Sequence, residues 1–259
     1  MQSDLKGKNI LLFGSTGVLG SEYTKQLIKN QANLVAIDIL SKNFLKLKKK
    51  YKTVNWIKCN VLKEEEVINS IHLASKILKK FDVVIYNVAA TQESLVHNRN
   101  NFPVFEKYPL NLWNKSIGIN LTGAFLFARE CCKHLSKKGS SMIFVSSTYG
   151  LVAPDHDMYS GENFKSIPAY SATKAGIIGL AKWLSTWLAK KKIRVNVVVP
   201  GGVKNEQSQK FIKKYSRKTP LGRMANKDEI FGIIHYLSSD SSSYTTGQTF
   251  VIDGGFTTW

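Results

Sequence analysis

Residues 9–20 read Asn-Ile-Leu-Leu-Phe-Gly-Ser-Thr-Gly-Val-Leu-Gly (NILLFGSTGVLG). Asn9–Phe13 is a short, continuous apolar run, the form a strand takes when both its faces are buried. Gly14, Gly17 and Gly20 follow at once, and Val18–Lys29 carries a helical pattern. Strand, glycine turn and helix in direct succession suit a pyrophosphate. Glycines let the main chain turn tightly and approach closely, and the helix start offers unpaired N–H groups and the positive end of its dipole. A tight turn with no ligand would use the same glycines, so the rest of the chain has to decide.

The alternation continues to the end of the chain. Its residues predict strands at Leu34–Ile37, Asn55–Lys58, Asp82–Tyr86, Ser141–Val145, Arg194–Val199 and Thr249–Ile252. They predict helices over Phe44–Lys50, Glu64–Lys79, Leu112–Leu135, Ala169–Lys190 and Lys227–Ser238. Seven apolar strands with helices between most of them indicate an α/β fold: a doubly wound, parallel seven-stranded sheet with helices on both faces, of Rossmann type. No repeat, low-complexity tract or linker stands out, so residues 1–259 are expected to form one dinucleotide-binding domain. In such sheets a ligand lies at the carboxyl ends of the strands, so functional residues should follow each strand directly.

The strand ends supply candidates for a cofactor. The glycine loop contributes Gly14, Thr16, Gly17, Leu19 and Gly20. Strand two ends at Asp38, whose carboxylate can accept both adenosine ribose hydroxyls and repels a 2′-phosphate. That favours NAD over NADP, although Lys42 lies near enough in sequence to keep NADP open. Strand three ends at Cys59-Asn60-Val61, where an amide could bond the adenine. Strand four ends at Asn87-Val88-Ala89-Ala90, small residues that would let a cofactor cross the sheet. A helix cap at Asp38 and ordinary strand ends elsewhere are the plain alternatives.

Composition bounds the function. Of 259 residues, 43% are hydrophobic and 21% charged, which excludes a disordered chain. The longest apolar runs, near Val83–Ala90 and Val195–Pro200, are far shorter than the roughly 18–20 residues of a membrane helix. The polar start Met1–Asn9 lacks the apolar centre of a signal peptide, so a soluble, cytoplasmic protein is expected. Cys59, Cys131 and Cys132 have neither metal-ligand spacing nor an even pairing pattern, and no metal is expected. The net charge of +19 raises the question of nucleic acid. Only five of the 37 basic residues are Arg (Arg99, Arg129, Arg194, Arg217 and Arg223), however, and no nucleic-acid-binding motif is present. A solvated surface, or steering of an anionic small substrate, accounts for the lysines; no nucleic-acid partner is expected.

Tyr170-Ser171-Ala172-Thr173-Lys174 opens a helix, which sets Tyr170 and Lys174 on one face, one turn apart. A phenol titrating near 10 is a poor base at neutral pH, and a neighbouring ammonium favours the phenolate. Tyr-x-x-x-Lys arises readily by chance in a chain with 32 lysines, so its companions carry the argument. These are Ser146-Ser147 at the end of strand five, Asn120 in the long helix before it, and Pro200-Gly201-Gly202-Val203 after strand six.

With the glycine loop, this set resembles the short-chain dehydrogenase/reductase family, in its branch of about 250 residues. The resemblance runs from Lys8 to Gly255, with the motifs in the family's order. It implies that Tyr170 is the general acid/base and that Lys174 lowers its pKa and holds the nicotinamide ribose. It implies that Ser147 bonds the substrate oxygen, that Asn120 holds a relay water for Lys174, and that Gly201 and Val203 lie beside the nicotinamide. It further implies a homo-tetramer or homo-dimer packed through the helices Leu112–Leu135 and Ala169–Lys190. The chain departs from the branch in carrying its middle glycine at Gly17 rather than at Val18, Asn60 where aspartate is common, and Ala90 where glycine is common.

Ser147 and Tyr170 are 23 positions apart, more than is common in the family, so Leu151–Pro168 reads as an insertion. It is polar, with Asp155, His156, Asp157, Tyr159, Ser160, Glu162 and Asn163, and suits a hydroxyl-rich substrate. His156 could be a contact or a plain exposed residue. The segment Asn205–Arg223 reads as a mobile lid with Lys210, Lys213, Lys214, Arg217 and Lys218 available to a phosphate, or as a solvated amphipathic helix. Ser147–Asp155 (STYGLVAPD), Thr219–Ala225 (TPLGRMA) and the tail Phe256–Trp259 are similar to oxidoreductases of bacterial surface-sugar pathways. The expected activity is NAD-dependent hydride transfer on a sugar, polyol or sugar phosphate. A 3-oxoacyl reductase or a non-catalytic dinucleotide-binding module are the alternatives.

Overall fold

β1 (Asn9–Phe13) shows why its sequence is apolar throughout: Leu11 and Phe13 enter one core, and Ile10 and Leu12 enter another on the opposite face. The computed structural model describes residues 4–91, 95, 104–162 and 165–259. Asn163 of the insertion, Arg99 and the first three residues of the polar start lie outside them. Around β1 run β2 (Asn33–Asp38), β3 (Asn55–Lys58), β4 (Val83–Tyr86), β5 (Ser140–Val145), β6 (Ile193–Pro200) and β7 (Thr249–Ile252). All pair in parallel, in the order β3-β2-β1-β4-β5-β6-β7. Winding reverses between β1 and β4, which opens a crevice beyond their carboxyl ends.

Two helical layers cover the sheet. α1 (Val18–Lys29) and α8 (Phe231–Ser238) bury Tyr23, Leu27, Ile234 and Leu237 against one face. α3 (Glu64–Leu78), α5 (Gly123–Cys131) and α6 (Pro168–Trp187) bury Val67, Ile71, Phe127, Ile177 and Ala181 against the other. Each large side chain buried in this way contributes roughly 1.5–3 kcal/mol. α2 (Lys42–Lys50) lies outside, with only Phe44 buried; two further helices among the described residues are α4 (Leu110–Ile117) and α7 (Gln209–Arg217).

Several expected boundaries shift for physical reasons. The helix expected over Leu112–Leu135 is α4, a π-helical turn at Gly118–Thr122, and α5, which ends at Cys131. Leu135 is buried yet non-helical, pairing with Phe81, so its apolar character marks packing and not helix. The helix expected to reach Lys190 ends at Trp187, because Lys192 adopts a left-handed conformation, φ 57°, to turn the chain into β6. The helix expected from Lys227 starts at Phe231, after a turn in which Asn226 N–H donates to Glu229.

The segment expected as a mobile lid carries α7, whose Phe211 and Tyr215 are buried with Met158, Tyr159, Met224 and Phe256. Lys214 donates to the carbonyls of Asp157 and Ser160, and Lys218 pairs with Asp155. These contacts strap α7 to the Leu151–Pro168 insertion. Cys59 and Cys131 are buried free thiols and Cys132 is a half-buried one. Among the described residues, no helix is long and apolar enough to cross a membrane, and no group of His, Cys, Asp or Glu could hold a metal.

Candidate active site

The strand ends converge as the topology requires. Gly14 leaves β1 at φ 78°, a left-handed conformation that costs a side chain dearly. A Cβ there would also strike the main chain of Asn87 and Val88, and one at Gly20 would overlap the Gly14 carbonyl. Gly14 and Gly20 therefore close the turn. Gly17 differs: a Cβ there would meet nothing within 4 Å, and Gly17 caps α1 with no side-chain bond to the first N–H groups. Open space thus lies directly in front of unpaired helix donors.

Asp38, at the end of β2, holds this loop. Its Oδ2 accepts from Thr16 N and Thr16 Oγ1, both at 2.8 Å, and its Oδ1 from Ile39 N at 2.7 Å. Burial raises its pKa, against those hydrogen bonds, which lower it. Asn87 donates to the Gly14 carbonyl at 2.8 Å, so it fastens the loop to β4. Thr16 is thus tied to Asp38, and Leu19 packs on the core below. Asn60 turns its own loop, accepting from Leu62 N through its side chain. Val61 is buried against the position of Gly123, and Ala89 is exposed at the crevice beside buried Ala90.

The catalytic candidates meet at β5, β6 and α6. Ser147 and Tyr170 line one cavity of about 210 Å³, with Thr148, Tyr149, Tyr159, Lys165, Ser166, Ile167, Gly201, Gly202, Gln207 and Tyr215 among its walls. Lys174 is 2% exposed; its Nζ donates to the Val145 carbonyl at 2.9 Å and lies 5.5 Å from the Tyr170 ring centroid. Burial pulls its pKa down to about 7. Ser146 Oγ donates to the Lys174 carbonyl at 2.7 Å, pinning α6 to the end of β5, and Ser147 Oγ accepts from Tyr149 N.

Asn120 sits fully buried in the π-helical turn. Its Oδ1 accepts from Ala90 N at 2.6 Å, and its Nδ2 donates to Thr173 Oγ1 at 3.1 Å and to the Ala90 carbonyl. That side chain joins the loop after β4 to α6. Gly201 N–H donates to Ile252, Gly202 N–H to the Tyr215 hydroxyl, and Val203 bridges to Ala225, which fixes the loop after β6 under α7.

Sequence reasoning placed Tyr159 in the polar insertion but missed Tyr149 and Tyr215 as cavity walls. Those two are recognisable only once the insertion and α7 pack together. The one hint was the i, i+4 spacing of Phe211 and Tyr215 in a lysine-rich helix.

A family model described as enoyl-(acyl carrier protein) reductase matches residues 15–257. The chain is 29% identical to a 3-oxoacyl-[acyl-carrier-protein] reductase of Thermotoga maritima over 97% of its length and 98% of that protein. It is 28% identical to the post-translational flagellin modification protein A of Campylobacter coli, covering 97% of this chain and 99% of that one. A solved short-chain dehydrogenase from Leptospira borgpetersenii with bound NAD+ superposes with a TM-score of 0.86 at 30% identity, over 98% of this chain and 94% of that chain. The chain belongs to the short-chain dehydrogenase/reductase family. It is an oxidoreductase acting between CH–OH and keto groups.

Proposed function

We propose that the chain is a single-domain, NAD(H)-dependent oxidoreductase of secondary alcohols and ketones, acting on a sugar, polyol or sugar phosphate. The observation that carries this reading is that Ser147 and Tyr170 line one cavity while Lys174 lies buried beneath the tyrosine ring. The crevice fits a dinucleotide: space opens at Gly17 before unpaired α1 donors, and a carboxylate stands at the end of β2. Asp38 would exchange its bonds to the loop for the adenosine ribose hydroxyls and would repel a 2′-phosphate. The remaining strand-end candidates, Asn60, Val61, Asn87, Ala89, Gly201 and Val203, would line the path of the cofactor. The bound nicotinamide supplies or accepts the hydride.

The protein's part is proton transfer and charge stabilisation. Tyr170 gives its hydroxyl proton to the substrate oxygen in reduction and takes it back in oxidation. Ser147 donates to the same oxygen and stabilises charge developing there. Lys174 as ammonium favours the Tyr170 phenolate. With its own pKa near 7, it is poised to exchange protons at neutral pH. Tyr149, Tyr159, Thr148, Ser166 and Gln207 make the cavity wall polar, which favours a hydroxylated substrate, and Lys165 brings positive charge for an anionic one.

A second reading is reduction of a 3-oxoacyl thioester. It is favoured by the activity named for the Thermotoga relative and by the net charge of +19, which suits an acidic carrier protein. NADH absorbance separates the two readings. Turnover of a sugar, polyol or sugar phosphate with NAD+ preferred over NADP+ supports the first; turnover confined to acetoacetyl thioesters with NADPH supports the second.

A homo-dimer or homo-tetramer in the cytoplasm belongs to the same proposal. α5 exposes Phe125, and α6 exposes Trp183 and Trp187, stacked with centroids 5.2 Å apart. Exposed aromatics of this size mark association surfaces.

A further inference from the structure

Two tyrosines beside the catalytic pair take no part in the proton transfer above. Tyr149 and Tyr159 both line the cavity of Ser147 and Tyr170. The Tyr159 hydroxyl donates to the Tyr149 hydroxyl at 2.7 Å. A phenol has one hydrogen to give. That of Tyr159 goes to Tyr149, and the hydrogen of Tyr149 finds no acceptor among the described residues. Burial raises the pKa of Tyr149 to about 12, so its hydroxyl stays protonated and can donate throughout the neutral range.

The pair is held still. Tyr159 is 6% exposed and packs on Phe211 with ring centroids 5.4 Å apart. The turn that bears it, His156–Tyr159, is fastened to α7 by Lys214 through the carbonyls of Asp157 and Ser160. Glu162, just beyond, accepts from Ser208 at 2.7 Å. A fixed donor at a cavity wall is an oriented contact for a substrate oxygen.

We propose that Tyr149, oriented by Tyr159, determines specificity by donating a hydrogen bond to a second substrate oxygen, distinct from the oxygen on the reacting carbon. This rests on the reading that Ser147 and Tyr170 hold the reacting oxygen. The substrate class is then hydroxyketones and polyols in preference to simple ketones and alcohols. A site built to bond a hydroxyl rejects an analogue that lacks it, because its buried polar group is left unpaired.

The test is NADH-dependent reduction of cyclohexanone and of 2-, 3- and 4-hydroxycyclohexanone, compared by kcat/KM. Wild type is expected to favour at least one hydroxyketone over cyclohexanone by about tenfold or more. Tyr149→Phe is expected to abolish that preference, read as the ratio of kcat/KM for the favoured hydroxyketone to that for cyclohexanone falling to about one. Tyr159→Phe, which leaves Tyr149 intact but unguided, is expected to lose part of it. Absence of any preference in wild type, including inactivity on all four ketones, overturns the proposal. So does a Tyr149→Phe enzyme that keeps the preference, or one in which all four rates fall alike. Tyr170→Phe serves as the control for the underlying reading: retained turnover there refutes the acid/base assignment and leaves Tyr149 to be judged on the other arms.

Discussion

A lysine taken out of water loses the hydration of its ammonium, and among the described residues Lys174 Nζ recovers one hydrogen bond, to the Val145 carbonyl. Its depressed pKa expresses that loss. The unfolded chain binds more protons than the folded one between about pH 7 and the ordinary lysine value near 10.4, so stability rises with pH across that window. Below about pH 7 the penalty is present in full. Lys174→Met is therefore expected to raise the unfolding free energy at pH 7 by roughly 1–3 kcal/mol, part of the gain being offset by the orphaned Val145 carbonyl, while abolishing turnover. Thermal melts check this: the advantage of the variant over wild type should be largest at pH 7 and shrink by pH 9.5. Ser147, Tyr170 and Lys174 were legible in the sequence because their spacing and order relative to the strands are local facts. Tyr149 was not, since its meaning depends on Tyr159, and that pairing exists only in three dimensions.

The glycine turn and α1 show how one motif divides its labour. Gly17 sits at φ −70°, where any residue is at ease, and has empty space ahead of it. Gly17→Val is expected to melt within about 2 °C of wild type, as surface substitutions do, yet to weaken NADH binding at least about tenfold, read by fluorescence titration. Gly20→Ala would drive a methyl into the Gly14 carbonyl and is expected to cost about 3 kcal/mol or more of stability, read by denaturant melts. Equal effects at the two positions would refute this division. The seven strands were legible, and β3 and β7 match their expected limits. The π-helical turn around Asn120 was not legible. Apolar periodicity reports which residues are buried, and Leu135 is buried without being helical. Nor was the strut that the Asn120 side chain forms between Ala90 and Thr173 legible.

At the scale of the whole molecule, a seven-stranded parallel sheet sets six strand ends around one crevice, and this much was legible from alternation alone. The packing of the insertion against α7 was not, because the spacing of Phe211 and Tyr215 marks one helix face but not the Met158 and Tyr159 that meet it. The proposed association through α5 and α6 predicts that Trp183→Glu combined with Trp187→Glu will lower the sedimentation coefficient, with the two-state melt retained. The central claim is that Tyr170 moves the proton while the crevice holds the dinucleotide independently. Its most direct test is Tyr170→Phe, assayed for NADH binding and turnover in one preparation. The account predicts an NADH dissociation constant within about threefold of wild type and kcat reduced at least about a hundredfold. A variant that binds NADH and still turns over near the wild-type rate would contradict it.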